Sequence, residues 1–145
     1  MRYPTHILFC VLISLLAFNV LAIQDKILFI LIAVIFTLLP DIDESSSKLG
    51  RKVRPLSFFL KHRGFFHSIW LPLLLVLILY NISFEISIAI FIGYSSHLIL
   101  DSLTKTGIAF LYPLKWRIKG FAKTGGLFEK LVFIALLISI IFIII

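Results

Sequence analysis

ISIAIFIGYSSHLILD, residues 86–101, is the stretch whose reading decides the fold of this chain. Residues 86–100 carry no Asp, Glu, Lys or Arg and are dominated by Ile and Leu, the pattern of a helix buried in protein or lipid. At its end His97 and Asp101 fall four apart, so their side chains stack on one helical face. Two such groups can chelate one ion. They can also form a plain hydrogen-bonded pair, and the spacing alone leaves both open.

Working outward, four more apolar runs occupy residues 7–23, 27–39, 65–82 and 131–145. With 61% hydrophobic and 14% charged residues and a mean hydropathy of +1.12, the chain exceeds what a soluble domain of 145 residues can bury. The expectation is an all-α, polytopic membrane bundle, one domain over residues 1–145, with about five transmembrane or re-entrant helices. The run at 27–39 is short for a crossing, so 7–39 can also be read as a re-entrant hairpin around Gln24, Asp25 and Lys26.

Two tight turns, at 24–26 and 81–85, return the chain to the side it left. That places all four histidines and three of the seven acids at one end of the helices. His6 opens the first run, Asp41 and Asp43 close the second, His62 and His67 open the third, and His97 with Asp101 closes the fourth. Imidazole and carboxylate groups brought to one depth by separate helices are the parts of a metal site.

Of the 14 Lys and Arg residues, only Lys26 lies on the opposite side. The positive-inside rule therefore puts the His/Asp end in the cytoplasm of a multi-pass inner-membrane protein and the C-terminus outside. The net charge of +7 reads as a membrane-surface charge that meets anionic lipid head groups, with no nucleic-acid partner expected. Arg2 followed by an apolar stretch ending in Val20, Leu21 and Ala22 has the outline of a cleavable signal peptide, but the polar turn and second run point to a helical hairpin. Cleavage would also discard His6. Cys10, the single cysteine, reads as a small packed hydrophobe.

Each motif has a bland reading beside the functional one. HRGFFHS (62–68) suits an interfacial anchor with Trp70 in the aromatic belt, which explains Arg63 well and two histidines poorly. Five-residue spacing puts His62 in the loop and His67 on the first turn of the helix, with Gly64 allowing a sharp backbone turn. The acids after Pro40 fit helix-to-loop punctuation, yet a helix C-terminus repels carboxylates, so Asp41 and Asp43 there call for a cation. Residues 104–126 are basic and interleaved with Phe110, Tyr112, Trp116 and Phe121, which suggests a segment lying on the head groups or a lid over the site.

Taken in order, LLPDID (38–43), HRGFFHS (62–68), GYSSHLILDSLTKTG (93–107) and LYPL (111–114) resemble the YdjM-like family of bacterial inner-membrane proteins, which are predicted LexA-regulated, metal-dependent hydrolases. The resemblance spans nearly the whole chain; Phe66 stands where the family pattern leads one to expect a hydroxyl residue. It implies a helical membrane hydrolase whose metal ligands come from these motifs. A more distant likeness, in ligand order and type only, is to the all-helical zinc phospholipase C and nuclease enzymes.

The metal set expected is His6, Asp41, Asp43, His62, His67, His97 and Asp101, holding two or more divalent ions, zinc first, with manganese or magnesium as the other candidates. Asp43 and Arg63 are the catalytic candidates, Arg63 and Lys105 the candidates for contacting a substrate phosphate. The function expected is hydrolysis of a phosphoester, small or lipid-borne. The readings of other classes are a metal or ion transporter, which the apolar helix centres disfavour, and a non-catalytic membrane-stress scaffold.

Overall fold

Short polar signals start the helices that the apolar runs then extend. The computed structural model describes residues 1–43, 65–114 and 116–145, and of Ile42, Asp43 and Phe65 only the backbone. Among them are five α-helices and no β-strand: α1 (Tyr3–Phe18), α2 (Lys26–Leu38), α3 (Trp70–Leu79), α4 (Phe84–Ser102) and α5 (Leu127–Ile144). Asp25 caps α2 by accepting from the Leu28 amide at 2.9 Å, and Ser83 caps α4 by accepting from that of Ile86 at 3.4 Å. Short 3-10 turns at Leu39–Asp43 and Phe65–His67 follow α2 and precede α3.

The helices alternate in direction as the two tight turns require. At the far end the turns meet, where the Gln24 amide donates to Glu85 Oε1 at 3.1 Å. At the near end stand the start of α1, the turn after α2, the turn before α3 and the end of α4. The α2–α4 contact is the most extensive of the bundle. It is close because Gly93 presents no side chain: a Cβ there would drive into the backbone carbonyl of Ala33. Thr37 Oγ1 donates to the Gly93 carbonyl at 2.5 Å and pairs with Ser96 Oγ at 2.8 Å across the same seam.

Two of the five helices, α4 and α5, are long and apolar enough to cross a membrane, whereas α1 and α3 are shorter apolar helices. Two boundaries differ from the sequence reading. The third helix begins at Trp70, five residues after the start of the apolar run, because Pro72 has no N–H for the carbonyl of Ser68 and the Ile69 amide is spent on Phe110 O at 3.0 Å. His67 consequently lies in the 3-10 turn before the helix, not on its first turn. The fifth begins at Leu127, upstream of residue 131, because Glu129 at the third position accepts from the Gly125 amide at 2.5 Å and so secures the helix start.

Between α4 and α5 the chain folds back on itself. Ile108 and Ile118 pair in an antiparallel bridge, Thr104 and Ala122 in a parallel one, and the Gly120 amide returns to Thr104 O at 3.0 Å. The loop folds onto the near end of the helices, where buried Ile108 joins Tyr94 and Leu98, with Phe36, Leu39, Ile69 and Phe110 packed around them. A second cluster, of Cys10, Ile23, Phe29, Ala33 and Ala89, fills the far half. Cys10 is fully buried, the environment of a packing residue.

Candidate metal centre

Five of the expected residues converge at the near end. α1 supplies His6 from its first turns, the 3-10 turn after α2 supplies Asp41, the turn before α3 supplies His67, and the last turns of α4 supply His97 and Asp101. All five are buried, the three histidines at 1% exposure or less. His6 and His97 stack with ring centroids 4.1 Å apart and 15° between planes, and His67 meets His97 edge-on at 5.5 Å. Histidines far apart in sequence thus share one small volume.

Five histidine–carboxylate separations inside the cluster are longer than hydrogen bonds. His6 Nε2 lies 3.4 Å from Asp101 Oδ1; His97 Nε2 lies 3.6 Å from Asp41 Oδ1 and 3.9 Å from Asp101 Oδ2. His67 Nε2 lies 3.8 Å from Asp41 Oδ1 and 3.9 Å from Asp101 Oδ2. N–H···O bonds run at about 2.7–3.2 Å. Two ligands at about 2.0–2.2 Å from one tetrahedral ion are instead about 3.3–3.6 Å apart, the edge length that bond length and angle dictate. The observed spacings sit at or a little beyond that edge.

Protonation of His97 points the same way. Its Nδ1 lies 2.8 Å from the backbone carbonyl of Thr37, which can only accept, so Nδ1 carries the proton. In the neutral ring Nε2 is then a lone pair directed toward two carboxylates, a repulsive arrangement that a cation between them reverses. Neither Nε2 of His97 nor either ring nitrogen of His6 has a hydrogen-bond partner among the described residues. An imidazole whose far nitrogen is held by a carbonyl is the usual second-layer support of a metal ligand.

The donors fall into two sets, His6–His97–Asp101 and Asp41–His67–His97, in each of which the ligand atoms lie within 4.8 Å of one another. Asp101 faces His6 with Oδ1 and His67 and His97 with Oδ2, so its carboxylate stands between the sets. The residues present therefore fit one divalent ion, and their division fits two. A cationic group already touches Asp101: the terminal amine of Met1 lies 2.6 Å from Oδ1.

The remaining expected site residues are placed differently. The side chain of Asp43, and His62 and Arg63 entirely, lie outside the described residues, as do Lys48 and Lys115 of the two basic segments. Lys105 is exposed on the loop after α4, its amide bonded to Ala122 O at 3.0 Å. Three contributors escaped the sequence reading. Tyr94 donates its hydroxyl to Phe66 O at 2.6 Å and fixes the turn that carries His67. Thr37 contributes a backbone carbonyl, which every residue has, so no side-chain signal marked it. Glu129 accepts from the Arg2 amide at 2.5 Å and from Thr5 Oγ1 at 3.0 Å, tying the start of α1, and with it His6, to α5. Its signal was a lone acid at the edge of a long apolar run.

A helical bundle of membrane composition with three buried imidazoles and two buried carboxylates at one end defines a class: membrane proteins able to hold a metal ion in a His/Asp cluster. The chain belongs to the YdjM inner membrane protein family, whose pattern it matches over residues 1–145. It is 36% identical over 123 residues to the uncharacterized protein YvsG of Bacillus subtilis, a match covering 79% of this chain and 77% of that one. It is 32% identical over 130 residues to the inner membrane protein YdjM of Escherichia coli, covering 79% of this chain and 66% of that one; the YdjM of Shigella flexneri matches equally. No solved structure matches this chain.

Proposed function

We propose that this chain is a membrane-embedded, metal-dependent hydrolase of phosphoesters, acting on a lipid-borne substrate at the cytoplasmic face of the inner membrane. The observation that carries the reading is the spacing of 3.4–3.9 Å among His6, Asp41, His67, His97 and Asp101, which suits ligands of an ion better than a hydrogen-bonded network. Zinc is the first candidate by ligand type, since imidazole and carboxylate in a closed, compact set suit it. The division of the donors around Asp101 supports a pair of ions. A bound divalent ion supplies Lewis acidity, which polarises a phosphoryl oxygen and makes water acidic enough to ionise near neutrality.

The protein's own residues do the positioning. His97 is locked in one tautomer by the Thr37 carbonyl, His67 is held by the Tyr94-anchored turn, and Asp101 faces both donor sets. Arg63, which can pair bidentately with a phosphate but cannot ligate a cation, is the candidate for substrate binding, with Lys105 as a point charge and Asp43 as a further ligand or catalytic carboxylate. Burial of the cluster excludes bulk water and strengthens each electrostatic contact.

Charge placement supports a multi-pass arrangement with the cluster in the cytoplasm. The transporter reading needs ionisable groups at mid-depth, and between its ends α2 has none; in α4 they lie only at the two ends, Glu85 and then His97 and Asp101. The deciding experiment is metal analysis of the detergent-purified chain, followed by phosphomonoester, phosphodiester and phospholipid hydrolysis assays with zinc, manganese or magnesium restored. A divalent ion with phosphoesterase activity that a chelator abolishes is expected. A chain that binds no divalent ion would hand the reading to the scaffold alternative.

A further inference from the structure

Beside the metal cluster, between the start of α1 and the first turns of α5, lies a cavity of about 380 Å³ that no part of the metal chemistry uses. Its lining includes the exposed cations Arg2 and Lys130, the buried Thr5, and the apolar Pro4, Phe133 and Ile134. Arg2 and Lys130 are exposed cations, and no salt bridge is found for either among the described residues. The one acid at the cavity, Glu129, is buried and accepts three hydrogen bonds, from the Arg2 amide, Thr5 Oγ1 and the Gly125 amide, so its charge is already compensated. The lining therefore carries a net positive charge beside an apolar surface.

That polarity continues along α5. Lys130, Ile134, Ile138 and Ile141 follow one another at helical spacing on one stripe. A second apolar hollow, of about 410 Å³, is lined by Ile138, Ile141, Phe142 and Ile145 further down the same helix. Only 11% of α5 is buried inside the protein, although beyond Lys130 the helix is almost wholly apolar. One membrane leaflet, about 15 Å of hydrocarbon, matches about ten residues of helix, which is the distance from Lys130 to the second hollow.

We propose that this cavity and the stripe beneath it bind one anionic phospholipid, its phosphate on Arg2 and Lys130 and an acyl chain along Phe133, Ile134 and Ile138. Two exposed cations above an apolar stripe of leaflet length complement an anionic lipid better than a free phosphate, which would leave the stripe uncovered, or a neutral lipid, which would leave the cations unpaired. Arg2 and Thr5 neighbour Met1 and His6, which face the cluster, so the site lies where a lipid would approach the metal centre. As a point of substrate entry the inference rests on the hydrolase reading; as a binding site it rests on these residues alone.

The test is lipid retention without turnover. The purified full chain, stripped of lipid and treated with chelator, is offered phosphatidylglycerol or phosphatidylcholine in detergent and weighed intact by native mass spectrometry. One retained phosphatidylglycerol per chain is expected, with phosphatidylcholine at least about tenfold weaker, a factor worth 1.4 kcal/mol. Arg2→Gln with Lys130→Gln, and separately Ile134→Trp, which fills the groove, should each lower retention about tenfold at unchanged helical content. Arg117→Gln with Lys119→Gln, on the exposed loop, should leave it intact. Retention of phosphatidylglycerol by both altered chains at the unaltered level, equal retention of phosphatidylcholine, or displacement by glycerol phosphate at lipid concentrations would each overturn the assignment. Because neither metal nor catalysis enters the measurement, its failure is separate from failure of the hydrolase reading.

Discussion

His97 donates a hydrogen bond from Nδ1–H to the backbone carbonyl of Thr37 at 2.8 Å, and this one bond sets the chemistry of the cluster. It joins the last turns of α4 to the last turn of α2 and leaves Nε2 facing the carboxylates of Asp41 and Asp101. Ring position, tautomer and lone-pair direction follow from it together.

His97 belongs to both donor sets, so His97→Ala should remove bound divalent metal, and Asp101→Ala, which takes the carboxylate between the sets, should do the same. Insertion and helical content should persist, because the apolar runs drive them. Elemental analysis of the purified variants checks this, and an unchanged metal content in His97→Ala would exclude the ring as a ligand.

Thr37→Val separates the carbonyl from the hydroxyl. The backbone bond to His97 survives, while the Oγ1 bonds to Gly93 O and Ser96 Oγ are lost. Gly93 O and Ser96 Oγ keep their mutual bond at 2.7 Å, so a loss of about 0.5–1.5 kcal/mol per lost hydrogen bond is expected, with metal stoichiometry retained. Thermal unfolding with and without chelator reads both quantities.

Gly93 permits the α2–α4 approach, and even Gly93→Ala would push a methyl against the Ala33 backbone. Backbone cannot step aside as a flexible side chain can, so the helices must separate. Overpacking of this kind costs about 1–3 kcal/mol. Metal affinity should fall with stability, because Asp41 and His97 reach the site from opposite sides of that seam. Gly93→Ala with wild-type melting and metal affinity would show that the seam has room to spare.

Orientation can be read by cysteine labelling in a Cys10→Ser background. Glu85→Cys, at the start of α4 at the far end, should react with an impermeant reagent from the periplasm, and Arg117→Cys, on the loop at the cluster end, should not. The reverse pattern would turn the site to the outside.

Much of this protein is a property of separate segments. Apolar runs, Asp25 and Ser83 as caps, and the two tight turns each act within a few residues, so five helices and their alternating direction could be read along the chain. The same alternation placed His6, Asp41, His67, His97 and Asp101 at one end, since helix ends on one side of a hairpin are neighbours by construction. What pattern could not supply was lateral. The missing Cβ of Gly93 against Ala33, the carbonyl of Thr37 behind His97, the amide of Ile69 on Phe110 and the carboxylate of Glu129 on Arg2 are all contacts between residues remote in sequence. They helped to shorten the third helix, tied the start of α1 to α5, folded the loop after α4 onto the bundle and aimed the His97 ring. Hydrophobic transfer is a sum over each segment and is written in its composition, whereas the direction of a lone pair depends on which backbone group packing brings to the other side of the ring.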